Sequence, residues 1–376
     1  MKLGRTIFLL FLIFDACIEP FNIQLKDSQQ TLVVEGMITD QPGPYTVKLF
    51  QSLALEEQLN TTNWVQGAAI SIYDDQGVVE ALHEVTPGNY QTTTIQGTVG
   101  RTYHIRITLA DGLEYESVPE ILLPVGDLAN VYNEFVQNEN PPSDNPFTSP
   151  NGFNIFVDAS ILPEQNGLVR WRWTGTYEVM TYPEMRLKVK VPQGPILDKP
   201  IMVPDPPRCS GFIINPRDIN TTIKVGPCTC CNCWVEQYND RPLLSDKKFI
   251  NNNLVSRFKV AFIPATRRNF FDKYHLEIEQ MSTSQVVYDF WKNVETSQDI
   301  GSDLFQTAPS RTVGNIRIVY EGEKPALGIF AAAAVKKRSI VITRDDVPYL
   351  LLPIDTLANS CLQVYHFSSA EKPDFW

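Results

Sequence analysis

Between Thr31 and Ser117 the chain repeats one short pattern: apolar and polar side chains alternate for a few residues, then Gly, Pro, Asn or Asp breaks the run. From Thr31 to Thr39, Leu32, Val34 and Ile38 fall on one face, and Val33, Glu35 and Met37 on the other. Asp40-Gln41-Pro42-Gly43-Pro44 is a turn, because proline fixes φ and glycine reaches conformations closed to other residues. Tyr45, Val47 and Leu49 then alternate with Thr46 and Lys48. Ala68 to Tyr73, Val78 to Val85, Tyr90 to Thr93, Tyr103 to Leu109 and Leu113 to Ser117 continue the series. A period of two is that of a strand with one buried face. About seven short strands with closely spaced turns, and no helical period among them, predict an immunoglobulin-like β-sandwich over residues 31–120.

The rest of the chain is less regular, and the turn rhythm stops near residue 120, where we place the domain boundary. Phe153 to Ala159 and Leu168 to Val179 read as strands, the second with Val169, Trp171 and Trp173 on one face and Arg170 and Arg172 on the other. Val255 to Ile263, Lys273 to Met281, Asn315 to Tyr320, Leu327 to Val335 and Ser339 to Ile342 add further strands. One helix is predicted from Ser282 to about Thr296. Ser282-Thr283-Ser284-Gln285 fits a capping box, and Val286, Val287, Phe290, Trp291 and Val294 share a face that reads as core, not as a ligand platform. Residues 121–376 are therefore expected to form a larger β-rich (α+β) domain with one helix, making the whole chain mainly β. Tyr182 to Pro207 is rich in proline and reads as a long hairpin excursion or an extended loop, and Asn138 to Gly152 as an exposed loop. These two segments are where contacts with other molecules are expected, since loops on a rigid β-scaffold commonly carry binding.

The first seventeen residues set the compartment. Lys2 and Arg5 precede eight consecutive apolar residues, Ile7 to Phe14, and Asp15-Ala16-Cys17 follows. A positive start, a short apolar run and a small residue before the cut describe a secretory signal over residues 1–16; eight residues are too few to span a bilayer, which takes about twenty. A small residue followed by Cys is also the bacterial lipoprotein signal, which predicts lipidation at Cys17 and a polar tether over 17–30. Ordinary secretion, with Cys17 removed or disulfide-bonded, is the plainer alternative. The net charge of −11 argues against a nucleic-acid binder, which needs a basic stripe, and against electrostatic adsorption to an anionic membrane. Attachment by acyl chains needs no such charge.

Setting Cys17 aside leaves Cys209, Cys228, Cys230, Cys231, Cys233 and Cys361, an even set in an exported chain, which predicts disulfides. Cys228-Thr229-Cys230-Cys231-Asn232-Cys233 could instead hold Zn²⁺, but adjacent Cys230 and Cys231 point in different directions and the usual two-residue spacing is missing. We expect no metal and no cofactor. A vicinal bond is strained, so the cluster is expected to close one bond internally and to send two outward, to Cys209 and Cys361; the connectivity stays open among fifteen.

Little else suggests chemistry. His83-Glu84 opens like a zinc-protease motif, but Pro87 stands where the second His is required. His104 and His275 lie on strand patterns, and His366 has no partner motif. There is no Gly-x-Ser-x-Gly elbow and no phosphate-binding Gly-Lys-Ser/Thr loop. Asp74-Asp75 and Asp345-Asp346 are adjacent carboxylates in turns, where solvation is the rule and calcium a further reading. No catalytic residue is assigned.

A family resemblance runs through Cys17 with Glu19-Pro20, Leu32-Val33-Val34-Glu35-Gly36 with Ile38-Thr39-Asp40, and Pro42-Gly43-Pro44-Tyr45. It continues in Asp74-Asp75 with Gly77, Pro87-Gly88 with Tyr90, Asp111-Gly112 with Tyr115, Cys233-Trp234, Tyr274-His275-Leu276 and Phe290-Trp291. Arg311 with Gly314-Asn315-Ile316, Leu327-Gly328 with Phe330, and the terminal Pro373-Asp374-Phe375-Trp376 complete it. In these residues the chain resembles the Bacteroidota surface lipoproteins grouped as domain of unknown function 4249. The resemblance implies an outer-membrane, lipid-anchored protein facing the cell exterior, an accessory or cargo-presenting partner of a TonB-dependent outer-membrane β-barrel transporter. It brings no catalytic residues. Two alternatives stand beside it: a stand-alone surface module binding glycan or protein, and a cryptic hydrolase with an acid/base pair among the scattered Asp and Glu residues.

Overall fold

The computed structural model describes residues 30–52, 62–141, 148–190, 200–300, 314–319, 326–352 and 356–376. The leader, Cys17 and nearly all of the tether lie outside the described residues, as do parts of the two expected contact segments. The chain is mainly β, as its alternation predicts, and is built as two sandwiches.

In the first sandwich, one sheet holds Leu32–Thr39, Thr46–Gln51, Asn89–Gln91 and His83–Thr86; the facing sheet holds Ala69–Asp74, Val79–Ala81, Thr102–Thr108 and Glu114–Ser117. Their inward residues, among them Val34, Ile38, Val47, Leu49, Ile70, Ile72, Ile105 and Ile107, make one buried core. The predicted strand Val78 to Val85 is in fact two. The chain crosses between sheets at Leu82, whose N–H donates to the Ile70 carbonyl at 2.9 Å.

The boundary near 120 needs correction. Ile316–Ile318 pairs with Glu114–Ser117, and Ala326–Ala333 pairs in parallel with the whole of Leu32–Thr39. The first sandwich is therefore closed by two late strands, one about 200 residues beyond its partner and the other almost 300, as in the Ile316↔Ser117 and Leu32↔Ala326 registers. A parallel strand covered on both faces needs apolar residues at every position, not at alternate ones. Ile329, Phe330 and the run Ala331 to Ala334 meet that need. Phe330 and Ala332 enter the sandwich core, while Ile329 and Ala331 pack against Val287 of the helix.

Two glycines make this pairing possible. Gly328 has φ +98°, which favours glycine, and a Cβ there would lie 1.9 Å from the Val34 carbonyl oxygen. A Cβ on Gly314 would lie 1.4 Å from the Gly328 oxygen. Asn315 closes the corner: its amide donates to the Phe330 carbonyl at 2.7 Å and to the buried Glu120 at 3.1 Å, and its oxygen accepts from the Phe330 N–H at 2.9 Å.

The second sandwich faces a sheet of Leu128–Val136, Gly152–Ser160 and Leu254–Pro264 against one of Val335–Thr343, Lys273–Ser282, Val169–Met180 and Asn232–Tyr238. Phe153, Trp171, Phe270 and Tyr274 fill the space between them. The helix spans Gln285–Ile300. Its first turn is capped by Ser284, whose Oγ accepts from the Val287 N–H at 3.2 Å, so the cap falls two residues after the Ser282 expected. Ser282 does other work: its hydroxyl donates to the Leu123 carbonyl at 2.7 Å and accepts from Ala334 N–H at 2.9 Å, joining the linker to the crossing strand. Val286, expected on the apolar face, is exposed. Gln280 adds to the joint, accepting from the Trp171 indole at 3.0 Å and donating to the Gly126 carbonyl at 2.9 Å. Among the described residues no helix is long and apolar enough to cross a membrane.

Candidate binding cleft and docking arm

Two places depart from ordinary core-and-surface organisation. The first is an arm built of two hairpins. Leu187–Lys190 pairs with Ile201–Pro204, and Phe212–Asn215 with Asp218–Lys224. The first lies within the proline-rich segment, which is thus a hairpin excursion at both its described ends; the second was not foreseen. Isolated hairpins bury too little to be stable alone, and here the second lies within a disulfide-closed loop at the edge of a cysteine cluster. Cys209 is bonded to Cys230, Cys228 to Cys231, and Cys233 to Cys361. One bond is internal to the cluster and two leave it for Cys209 and Cys361, the pattern expected from counting. Arg186 and Lys188 brace the base of the first hairpin, both bonded to Asp205 at 2.8 and 2.9 Å.

The arm carries apolar residues outward. Val189 and Met202 oppose each other across the first hairpin and are 61% and 57% exposed, and Ile213 and Ile223 do the same across the second. Met185, Leu187, Ile219 and Val225 extend the surface. A cluster of this kind on a soluble face marks an interaction site more often than chance.

The second place is a cleft between the two sandwiches, of about 400 Å³. Its walls come from Leu32–Thr39 and Thr46–Gln51 on one side and from Val169–Met180, Lys273–Ser282 and the helix on the other. Glu279 is buried within it and receives Arg172 and, at 2.7 Å, Lys337. Burial alone would raise the Glu279 carboxyl, but those two cations more than offset it and hold the group below its ordinary value. Glu35 lies 4.0 Å from Lys48 at the outer rim. Arg170 is different. Its guanidinium lies over the Trp291 ring at 3.8 Å, and no carboxylate among the described residues pairs with it. Burial, then repulsion from Arg172, pulls it down to about 10, against a partial offset from Glu35 and Glu279.

Sequence reasoning placed Arg170 and Arg172 on one face but gave them no role, and took Trp291 as core. The signal was the alternation Arg-Trp-Arg-Trp, two cations on one face of a strand whose other face carries the buried Trp171 and the half-buried Trp173. The remaining candidates are structural. Glu84 accepts from the Gly67 and Gly88 N–H groups, both at 2.9 Å, and so fastens loops. His104 stacks on Tyr73 and sits 3.2 Å from Glu116; His275 stacks on Phe375. Asp74 and Asp75 both pair with Arg101, and Asp346 accepts from Thr343 N–H and hydroxyl. No cluster of three potential metal ligands occurs among the described residues.

The fold and these two places define a class: a β-protein of two sandwiches, closed by a late strand, with a stapled apolar arm and a polar cleft between modules. A family model described as a domain of unknown function, DUF4249, matches residues 18–339, and the chain belongs to that family. No curated protein matches it. Several of the residues that carry the resemblance now have a physical reason. Gly314-Asn315 and Leu327-Gly328 form the corner that lets the late strand dock. Cys233-Trp234, Tyr274-His275 and Phe375-Trp376 meet on one sheet, with Trp376 edge-on to Trp234 at 6.5 Å.

Proposed function

We propose that the protein is an exported, Cys17-anchored lipoprotein of the outer membrane that works by binding, as an accessory or cargo-presenting partner of a TonB-dependent transporter barrel. The observation that carries this is the arm: two hairpins, the first braced by ion pairs to Asp205 and the second closed by Cys209–Cys230, offering the apolar pairs Val189–Met202 and Ile213–Ile223 to another surface. An apolar cluster of this kind is costly in water unless a partner covers it. Three disulfides suit an oxidising compartment, and Ala16-Cys17 after an apolar run suits acylation. A tether of about a dozen residues, reaching at most ~3.3 Å per residue, would keep the arm close to barrels in the same membrane.

For the hydrolase alternative, Glu279 in the cleft is excluded as the protonated member of an acid/base pair, because Arg172 and Lys337 hold its carboxyl below the ordinary value. Two measurements test the proposal. Mass spectrometry of the native N-terminal peptide is expected to find Cys17 acylated, and affinity purification from detergent-solubilised outer membranes is expected to recover a β-barrel. A free Cys17 thiol, or recovery with no barrel, would count against it.

A further inference from the structure

The cleft between the sandwiches contains two buried donors with no acceptor among the described residues: Arg170 Nε and Trp291 Nε1. Both belong to residues that line the cavity. A buried polar group without a partner is rare in folded proteins, and a buried cation without a counter-ion rarer still. The neighbouring charges are already matched, since Glu279 and Glu277 together hold Arg172 and Lys337, and Glu35 faces Lys48. Arg170 is the cation left over, and stacking on Trp291 fixes the plane of its guanidinium fork.

We infer that this cleft is a binding site for a small organic monocarboxylate, its carboxylate received by Arg170 and its apolar body lying against Met37, Ile329 and Val335. A planar guanidinium held in place matches the two oxygens of a carboxylate. A phosphate is disfavoured, because its second negative charge would face Glu35 and Glu279 with no further unpaired cation to meet it. Sugar stacking on Trp291 is disfavoured too, as Arg170 already covers that ring. The cavity, at about 400 Å³, is within the usual range for small-molecule sites. This inference concerns the cleft alone and does not depend on the arm or on a transporter.

The test uses the full oxidised chain in detergent and ligand-observed NMR titration. The probes are a panel of aliphatic and N-acetyl-aromatic monocarboxylates, each compared with its own primary amide, together with inorganic phosphate. At least one acid is expected to saturate and to bind roughly tenfold or more tighter than its amide, the scale of a charge-assisted pair. Arg170→Gln is expected to erase that preference, and Trp291→Phe, which removes the indole N–H, to weaken it by a smaller factor. If no acid outbinds its amide, or if phosphate displaces the best acid at equal concentration, the inference fails. The acid-versus-amide comparison is made on the parent chain, so it decides the matter even if Arg170→Gln does not fold.

Discussion

The two sandwiches are stabilised in opposite ways. The first has no disulfide among its described residues and is closed by backbone pairing between segments far apart in sequence, Leu32–Thr39 with Ala326–Ala333. All three disulfides belong to the second, where the chain sends out hairpins that cannot bury their own apolar faces. The difference teaches where covalent support is needed. Steady alternation over complementary sheets supplies a core by itself, whereas hairpins that leave their apolar side chains exposed must be held in shape by other means.

The comparison is broken most severely at Gly328. Replacing it with valine puts a side chain into the Val34 carbonyl and unpairs the closing strand, so the first sandwich should fail to form. A loss exceeding about 4 kcal/mol is expected, seen as insoluble protein or absent cooperative melting. Next is the buried Cys233–Cys361 bond, which spans 128 residues. By loop-closure entropy its removal as Cys233→Ser with Cys361→Ser should cost up to ~5 kcal/mol, and the C-terminal segment should become the first site of proteolysis. The Cys228–Cys231 bond spans 3 residues, so the corresponding serine pair should cost only ~2 kcal/mol at most and leave the main melting transition near its place. Equal losses from the two pairs would erase the distinction between a core staple and an arm staple.

The smallest effect is expected at Glu120 in the first sandwich. Burial raises its carboxyl above the ordinary range, against hydrogen bonds from Ser284 and Asn315 that lower it. A raised carboxyl stabilises the fold below its unfolded value, and that contribution is lost as pH rises through the folded one. Glu120→Gln should therefore melt higher than the parent by on the order of a degree or two at pH 7–8 and show no advantage near about pH 4. Melting curves at the two pH values check the sign.

How far the sequence discloses this molecule follows from the same contrast. Most strands from Thr31 to Ser117 were legible because they have one wet face and one buried face, which a period of two records directly. Val79–Ala81 and His83–Thr86, with no buried residue, were read as one strand. The closing strand was legible as a strand but not as part of the first sandwich. Phe330 to Ala334 is apolar throughout, so it carries no periodicity to say which sheet it joins, and its partner is almost 300 residues away. The disulfide pattern could be narrowed by geometry, because adjacent cysteines cannot easily bond each other, yet only the fold chose the pairs. The cleft was not legible at all. Arg170, Trp291 and Glu35 come from three remote segments, and each looks ordinary within its own element.

The central claim is that the arm meets a barrel in the same membrane. The most direct measurement is photo-crosslinking in living cells from a photoreactive side chain at Val189, with the same residue placed at Val78 on the first sandwich as a comparison; both positions are exposed. We expect an adduct with an outer-membrane β-barrel from position 189 and none from position 78. No barrel adduct from position 189, or equal adducts from both positions, would contradict it.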